Sequence, residues 1–167
     1  MKIEKEPFSL ELLGELMPLA QACWEESTRA KAETCAFYGD RDFKIEPDLD
    51  NYRRMQESGI LTILTMRDKG ELVGYLVGVL YRSWHHTKVL CAHVDTAYVK
   101  PAARAYTAVM IEKFERDMTE RGVGIIGWPA HENGPVYKVL LARGYVGDDL
   151  VMEKRLCASQ RASSAAA

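Results

Sequence analysis

Val99-Lys100-Pro101-Ala102-Ala103-Arg104-Ala105-Tyr106-Thr107-Ala108-Val109 is the stretch on which the fold turns. The run before it, Val89 to Val99, is mostly apolar and rich in β-branched residues, as a covered strand requires. After it, Tyr106, Met110, Phe114 and Met118 recur every four residues, the stripe of an amphipathic helix reaching about Arg121. Pro101 has no N–H for a ladder and ends the strand. The joint is therefore strand to helix, and the first helical turn offers unpaired backbone N–H groups at the positive end of the helix dipole. Such a terminus suits an anion, a pyrophosphate for example, and Arg104 sets a cation beside it. A purely structural reading competes: the same residues describe an amphipathic helix packed on a sheet.

Upstream, Ile60–Met66 and Leu72–Tyr81 flank Arg67-Asp68-Lys69-Gly70, the pattern of a β-hairpin. Alternation puts Val73, Tyr75, Val77, Val79 and Tyr81 on one face and Leu72, Gly74, Leu76, Gly78 and Leu80 on the other. Both faces are apolar, so the sheet is expected to be covered on both sides. In the strand Val89–Val99, His93 and Asp95 are polar intruders that share a face. Further upstream, Leu10, Leu13, Met17, Ala20 and Trp24 form a helical stripe that Pro18 should kink or restart. A short helix is predicted from Pro47 to Ser58, with Pro47 or Asp48 at its start, Leu49, Tyr52 and Met55 inward and Gly59 just past its end. The connector Ser27–Glu46 carries Phe37, Tyr38 and Phe43, more aromatic surface than a plain linker needs.

Downstream, Gly124–Trp128 reads as a strand, about Asn133–Arg143 as a helix closed by Gly144, and Tyr145–Leu156 as a last strand. With 167 residues, a net charge of −2, 47% hydrophobic and 28% charged residues, the chain is expected to form one domain over residues 1–157 with a disordered tail at 158–167. No run is long enough to cross a bilayer and no basic cluster suggests nucleic acid as a partner. The N-terminus has no export-signal pattern, so a cytoplasmic location is expected. Four scattered cysteines without CxxC spacing predict no disulfides.

The order of these elements, and three segments at their joints, resemble the GNAT (Gcn5-related N-acetyltransferase) family over about residues 3–156. Tyr98–Arg104 resembles the family's V-x-P-x-x-R lead into the cofactor loop. Asn133–Tyr145 resembles its N-x-x-A-x-x-L-Y-x-x-x-G-F helix, and Val151–Leu156 its final strand. The resemblance implies an α/β (α+β) fold: a mixed, mostly antiparallel central sheet with helices on both faces. It also implies an N-acetyltransferase using acetyl-coenzyme A, with a small-molecule or peptide amine as acceptor, no metal, and a possible homodimer. The residues it places at the cofactor are Tyr98, Val99, Arg104, Ala105, Tyr106, Thr107, Ala108, Val109, Asn133 and Leu140.

The departures are local. Thr107 and Val109 stand where the family's pyrophosphate loop carries small residues, a change that keeps the backbone donors but crowds them. Leu140 stands where the family often has a tyrosine as general acid, and Tyr137, one turn earlier, is the candidate substitute. These departures support the alternative of a catalytically inactive binding or regulatory module on the same fold.

The strand before the cofactor loop is where the resemblance places a general base. His93, a residue type that can take a proton directly, and Asp95, acting through water or orienting the histidine, are the candidates. A hydrogen-bonded core histidine and a strand-end aspartate are the structural alternative. Cys91 as a nucleophile, and His85, His86, Cys91 and His93 as metal ligands, are weaker readings, since the spacing matches no established zinc pattern. His131 falls in the loop before the second cofactor-side helix. On the acceptor side Glu25, Glu26, Glu33, Asp40 and Asp42 give an acidic surface, which favours a cationic small molecule.

Overall fold

The computed structural model describes residues 1–31, 45–130 and 135–147, with the side chains of 28–31 and of Pro135 left aside. Five strands follow one another in sheet order: β1 (Lys2–Lys5), β2 (Leu61–Asp68), β3 (Glu71–Arg82), β4 (Leu90–Val99) and β5 (Val123–Gly127). All neighbours are antiparallel except β4 and β5, which run parallel. Four helices accompany them: α1 (Leu10–Lys31), α2 (Leu49–Glu57), α3 (Thr107–Glu120) and α4 (Pro135–Ala142). The sheet is mixed and mostly antiparallel, with cores on both faces, as expected. The expected last strand lies almost wholly outside the described residues, as do the tail, His131, Asn133, Glu33, Asp40 and Asp42. Tyr145–Gly147 are irregular rather than extended.

The hairpin between β2 and β3 closes on Lys69 and Gly70, both at positive φ (49° and 94°), the geometry that two-residue hairpins favour. Asp48 caps α2, accepting a 2.9 Å hydrogen bond from Asn51 N, and Gly59 at φ 71° turns the chain out of its far end. β1 is a short edge strand that the sequence reading passed over. It is tied down by Arg67, whose Nε donates to Glu6 Oε1 at 2.8 Å and whose Nη1 reaches Glu15 Oε2 of α1 at 2.6 Å.

Two bulges reset the alternation of the central strands. Between Met66↔Gly74 and Arg67↔Leu72 the ladder skips Val73, and between Val77↔Thr96 and Gly78↔Val94 it skips Asp95. As a result Val73 joins Leu76, Leu80, Ala92 and Val94 in the core beneath α3, while Leu72 joins Tyr75 and Val77 beneath α1. This exchanges Leu72 and Val73 relative to simple alternation, because a bulge inserts one residue without a partner and inverts the pleat beyond it. Tyr81, expected inward, is exposed at the strand end.

The α3 face is closely filled. Met110, Phe114 and Met118 are buried there, and Phe114 lies against Gly78 so tightly that a Cβ on the glycine would sit 2.6 Å from the ring. Tyr106 does not continue this stripe and is 44% exposed. The reason is a change of helix type: Pro101–Tyr106 form a 3-10 segment, with three residues per turn, and the α-helix starts only at Thr107.

On the other face α1 runs unbroken past Pro18. Pro18 withholds the hydrogen bond to Gly14, but both residues are exposed, so water satisfies that carbonyl. The α1 residues buried against the sheet are Leu12, Leu16 and Leu19, packed with Phe8. The expected stripe is displaced from them. Leu10 is 54% exposed, and Leu13, Met17, Ala20 and Trp24 line a cavity, Leu13 and Ala20 also packing against the edge of the core.

Candidate active site

The pairing of β4 with β5 ends at His93↔Gly127, whereas β4 continues to Val99. Among the described residues no strand pairs with β4 beyond that point on the β5 side. On that side the outward-pointing backbone groups of residues 94–99 have no strand partner among the described residues, leaving a gap in the pairing beside them. At the end of the gap Lys100 N donates to Val73 O (2.8 Å), and the 3-10 segment carries the chain to α3. The N-terminus of α3 begins after Tyr106, which makes no side-chain cap. Val109 there is 50% exposed, so its branched side chain stands at the surface of the first turn.

Arg104 is not a free cation at this terminus. Its Nε donates to Val99 O at 3.3 Å, and its Nη2 donates to both carboxylate oxygens of Glu26, the longer contact being 2.7 Å. The joint between β4 and α3 is thereby strapped to α1. Two further contacts reinforce the strap. Cys23 Sγ donates to Ala97 O at 3.7 Å, and Tyr98 lies beside Glu26, with burial first and the carboxylate second raising its hydroxyl pKa.

Across the gap, β5 leads into Trp128, whose ring meets Phe114 edge-on with centroids 6.5 Å apart. Trp128 Nε1 and the Tyr145 hydroxyl are buried without a hydrogen-bond partner of acceptable geometry among the described residues. They are nonetheless neighbours, because the indole partly offsets the burial that pushes Tyr145 up to about 12. Arg143 closes this end by pairing with Glu115 of α3. Leu140 is buried, and its carbonyl accepts from Tyr145 N at 3.1 Å. Tyr137 is half-buried, with its hydroxyl 3.8 Å from the Cβ position of Gly147, so it faces the segment after α4.

The bulge at Asp95 has a direct consequence for the opposite face. Ala92, Val94, Ala97 and Val99 all belong to the α3-side core, which leaves Asp95 and Thr96 side by side on the α1 side. There they form the polar floor of a cavity of about 700 Å³ between α1, α2 and the sheet. Tyr75 bonds Thr96 across the floor, hydroxyl to hydroxyl at 3.1 Å, and burial raises its pKa. Tyr52 of α2 is raised by burial first and by the charge of Asp95 second, which places the carboxylate near it. His93 shares the strand face with Asp95 but lies outside the cavity lining. It is exposed, opposite Gly127, where the two strands part.

The structure thus brings Asp95 to the cavity and leaves His93 at the edge of the gap. Sequence reasoning missed Thr96 and Tyr75, whose only signal was the bulge, and a bulge is not visible in alternation alone. Cys91 is buried, and Trp84, His85 and His86 sit on the exposed β3–β4 turn, where Ser83 Oγ accepts from His86 N at 3.2 Å. Among the described residues no three His, Cys, Asp or Glu side chains gather as metal ligands. No described helix is long and apolar enough to cross a membrane.

No family model and no curated protein sequence matches the chain. Solved structures do. A Bacillus halodurans protein solved as a tetramutant superposes with a TM-score of 0.71 at 16% identity, over 93% of this chain and 100% of that one. A ribosomal-protein-alanine N-acetyltransferase from Brucella melitensis biovar Abortus 2308 does so at 0.63 and 17%, covering 93% and 100%. An aminoglycoside 6'-N-acetyltransferase from Acinetobacter haemolyticus gives 0.65 and 12%, covering 94% and 99%. At such identities the likeness is one of fold, and it extends over nearly the whole chain. The fold of this protein is that of the GNAT-family N-acetyltransferases.

Proposed function

We propose that the protein is an N-acetyltransferase that moves an acetyl group from acetyl-coenzyme A to a primary amine by direct attack in a ternary complex. The observation that carries this reading is that one stretch of β4, residues 94–99, does two things. It loses its β5 partner on one edge, and through the bulge it sets Asp95 and Thr96 in a cavity on the α1 side. A thioester arm laid along the free edge as an extra strand would meet an amine standing over Asp95.

The residues present fit such an arm. In this reading the β5-side backbone at the end of β4, beside Tyr98 and Val99, would bond the arm, and the first turn of α3, which has no side-chain cap although the Thr107 N–H already donates to Arg104 O, would face the pyrophosphate. The donor supplies an activated acyl carbonyl. A β4 N–H facing the gap polarises that carbonyl and holds the oxyanion. Asp95 takes the proton of the attacking ammonium, directly or through one water, and Thr96, fixed by Tyr75, completes the polar floor. Tyr137 and solvent are the sources for the thiolate proton. No covalent enzyme intermediate is required.

The inactive binding module has a specific observation behind it: Glu26 already occupies Arg104, and apolar Leu140 stands at the position of the acid. One experiment separates the two. Acetyl-coenzyme A should raise the melting temperature, and free thiol should appear when amines are offered. Stabilisation without thiol release from any amine would leave the binding module, and neither effect would remove both readings.

A further inference from the structure

The cavity carries more information than its floor. Its walls are Phe8, Met17, Trp24, Tyr52 and Tyr75 with neighbouring aliphatic side chains, and its carboxylates are Asp95 on the floor and Glu46 at the connector side. Among the described residues that line it there is no lysine or arginine. Of the acidic residues expected on this side, Glu25 and Glu26 fall among the described residues. Glu26 is engaged by Arg104 and Glu25 accepts from Gln21 at 2.9 Å, and neither lines the cavity.

We infer, on the basis of the acetyltransferase reading, that the acceptor is a primary amine borne on an apolar, arylalkyl-sized body, with its ammonium toward Asp95 and its body against α1 and α2. Three observations converge on it. The first is the second apolar stripe of α1. Leu13, Met17, Ala20 and Trp24 recur at helical spacing and line the cavity, Leu13 and Ala20 at the edge of the core and Met17 and Trp24 beyond it, while Leu12, Leu16 and Leu19 supply the buried contact with the sheet. Apolar surface kept beside a cavity is favourable when an apolar body covers it.

The second observation is charge. Asp95, the carboxylate of the floor, shares the lining with Tyr52 and Tyr75 and would hold one ammonium, through an ion pair and the rings. Glu46 would meet a second charge at the connector side, and a polycation with three or more would leave charges without partners among the described lining residues. The third is polarity. A hydroxyl-rich body would surrender hydrogen bonds to water that Phe8, Met17 and Trp24 cannot replace. The volume of about 700 Å³ lies within the range for small-molecule sites and exceeds what methylamine fills.

The test uses the full chain. Calorimetric titration with 2-phenylethylamine, tryptamine, methylamine, spermidine and kanamycin, without acyl donor, ranks affinities, and thiol release with acetyl-coenzyme A then ranks kcat/KM. Both arylalkylamines are expected to bind at least tenfold more tightly than the other three and to lead in turnover. Ala20→Phe, which projects a ring from α1 into the cavity, should weaken tryptamine at least tenfold and methylamine less than threefold, with folding checked by circular dichroism.

Tightest binding or fastest turnover with spermidine or kanamycin overturns the inference and leaves the acetyltransferase reading intact. Equal affinities across the panel, or no binding at all, also overturn it. The expected ranking without thiol release from any amine upholds the inference about the cavity and overturns acyl transfer. The amine panel decides the matter even if Ala20→Phe does not fold.

Discussion

The two faces of the sheet are built from the same strands and finished differently. Under α3 the side chains close completely. Phe114 is fully buried, occupies the space that Gly78 leaves, and meets Trp128 edge-on. Under α1 and α2 the packing of Phe8, Leu12, Leu16 and Leu19 is incomplete, and Phe8 and Leu16 also border a cavity floored by Asp95 and Thr96. One face therefore carries the burial that holds the sheet, and the other gives up part of its burial for a site. Substitutions under α3 should be read in stability and substitutions at the cavity floor in rate.

The largest effect expected on this contrast is at Phe114. Phe114→Ala should cost about 3–5 kcal/mol, measured by urea unfolding, because the surroundings of a fully buried ring relax only partly around the void. Met17→Ala at the cavity should cost well under half of that, and equal losses at the two positions would break the contrast.

Asp95→Asn comes next. A fall in turnover of at least about a hundredfold, roughly 2.7 kcal/mol of barrier, is expected with melting temperature and coenzyme A affinity nearly unchanged. His93→Gln sharpens the assignment: a matching loss would make the histidine the base and Asp95 its orienter.

Gly78→Ala should follow at about 1–3 kcal/mol of stability, since its methyl group would have to displace a ring held in a closed core. The smallest effect concerns pH. The Arg67 guanidinium, as the main cause, holds the Glu6 carboxyl below the usual carboxylate range. A depressed acid contributes stability that is full above its unfolded pKa and is lost as the pH falls through its folded value. Arg67→Met should therefore cost about 1 kcal/mol or less at neutral pH and flatten the acid side of the stability profile. An unchanged acid limb would show that the pair does not anchor β1.

Much of this architecture was legible in the residues. Lys69-Gly70 marked the hairpin, Asp48 and Gly59 bounded α2, and Met110, Phe114 and Met118 carried the phase of α3. The illegible parts have physical causes. β1 reads Lys-Ile-Glu-Lys, an edge strand whose charges keep it from pairing with other chains and also hide it. Tyr106 was assigned to the wrong phase because a 3-10 segment and an α-helix differ in period.

At the site, Asp95 stood out because a carboxylate in an apolar strand needs a reason. Thr96, Tyr75 and the cavity stripe of α1 did not stand out, because their placement depends on a bulge and on a second contact face that periodicity averages away. The pairing of Arg104 with Glu26, 78 residues apart in sequence, is invisible to any local pattern.

The bulge at Asp95 also separates what the chain can lose from what it cannot. Val94 and Thr96 face opposite sides, so excising Asp95 alone would join them as consecutive residues of an uninterrupted ladder, with Ala97 and Val99 still in the core. Excising a residue farther along β4 could also be absorbed by the bulge, but it would turn every side chain between the cut and the bulge to the wrong face. Asp95 is therefore the residue of β4 whose deletion leaves every paired position with the side chain it already has, and a library of single-codon deletions across the strand should recover folded protein most readily at Asp95 and less readily with distance from it.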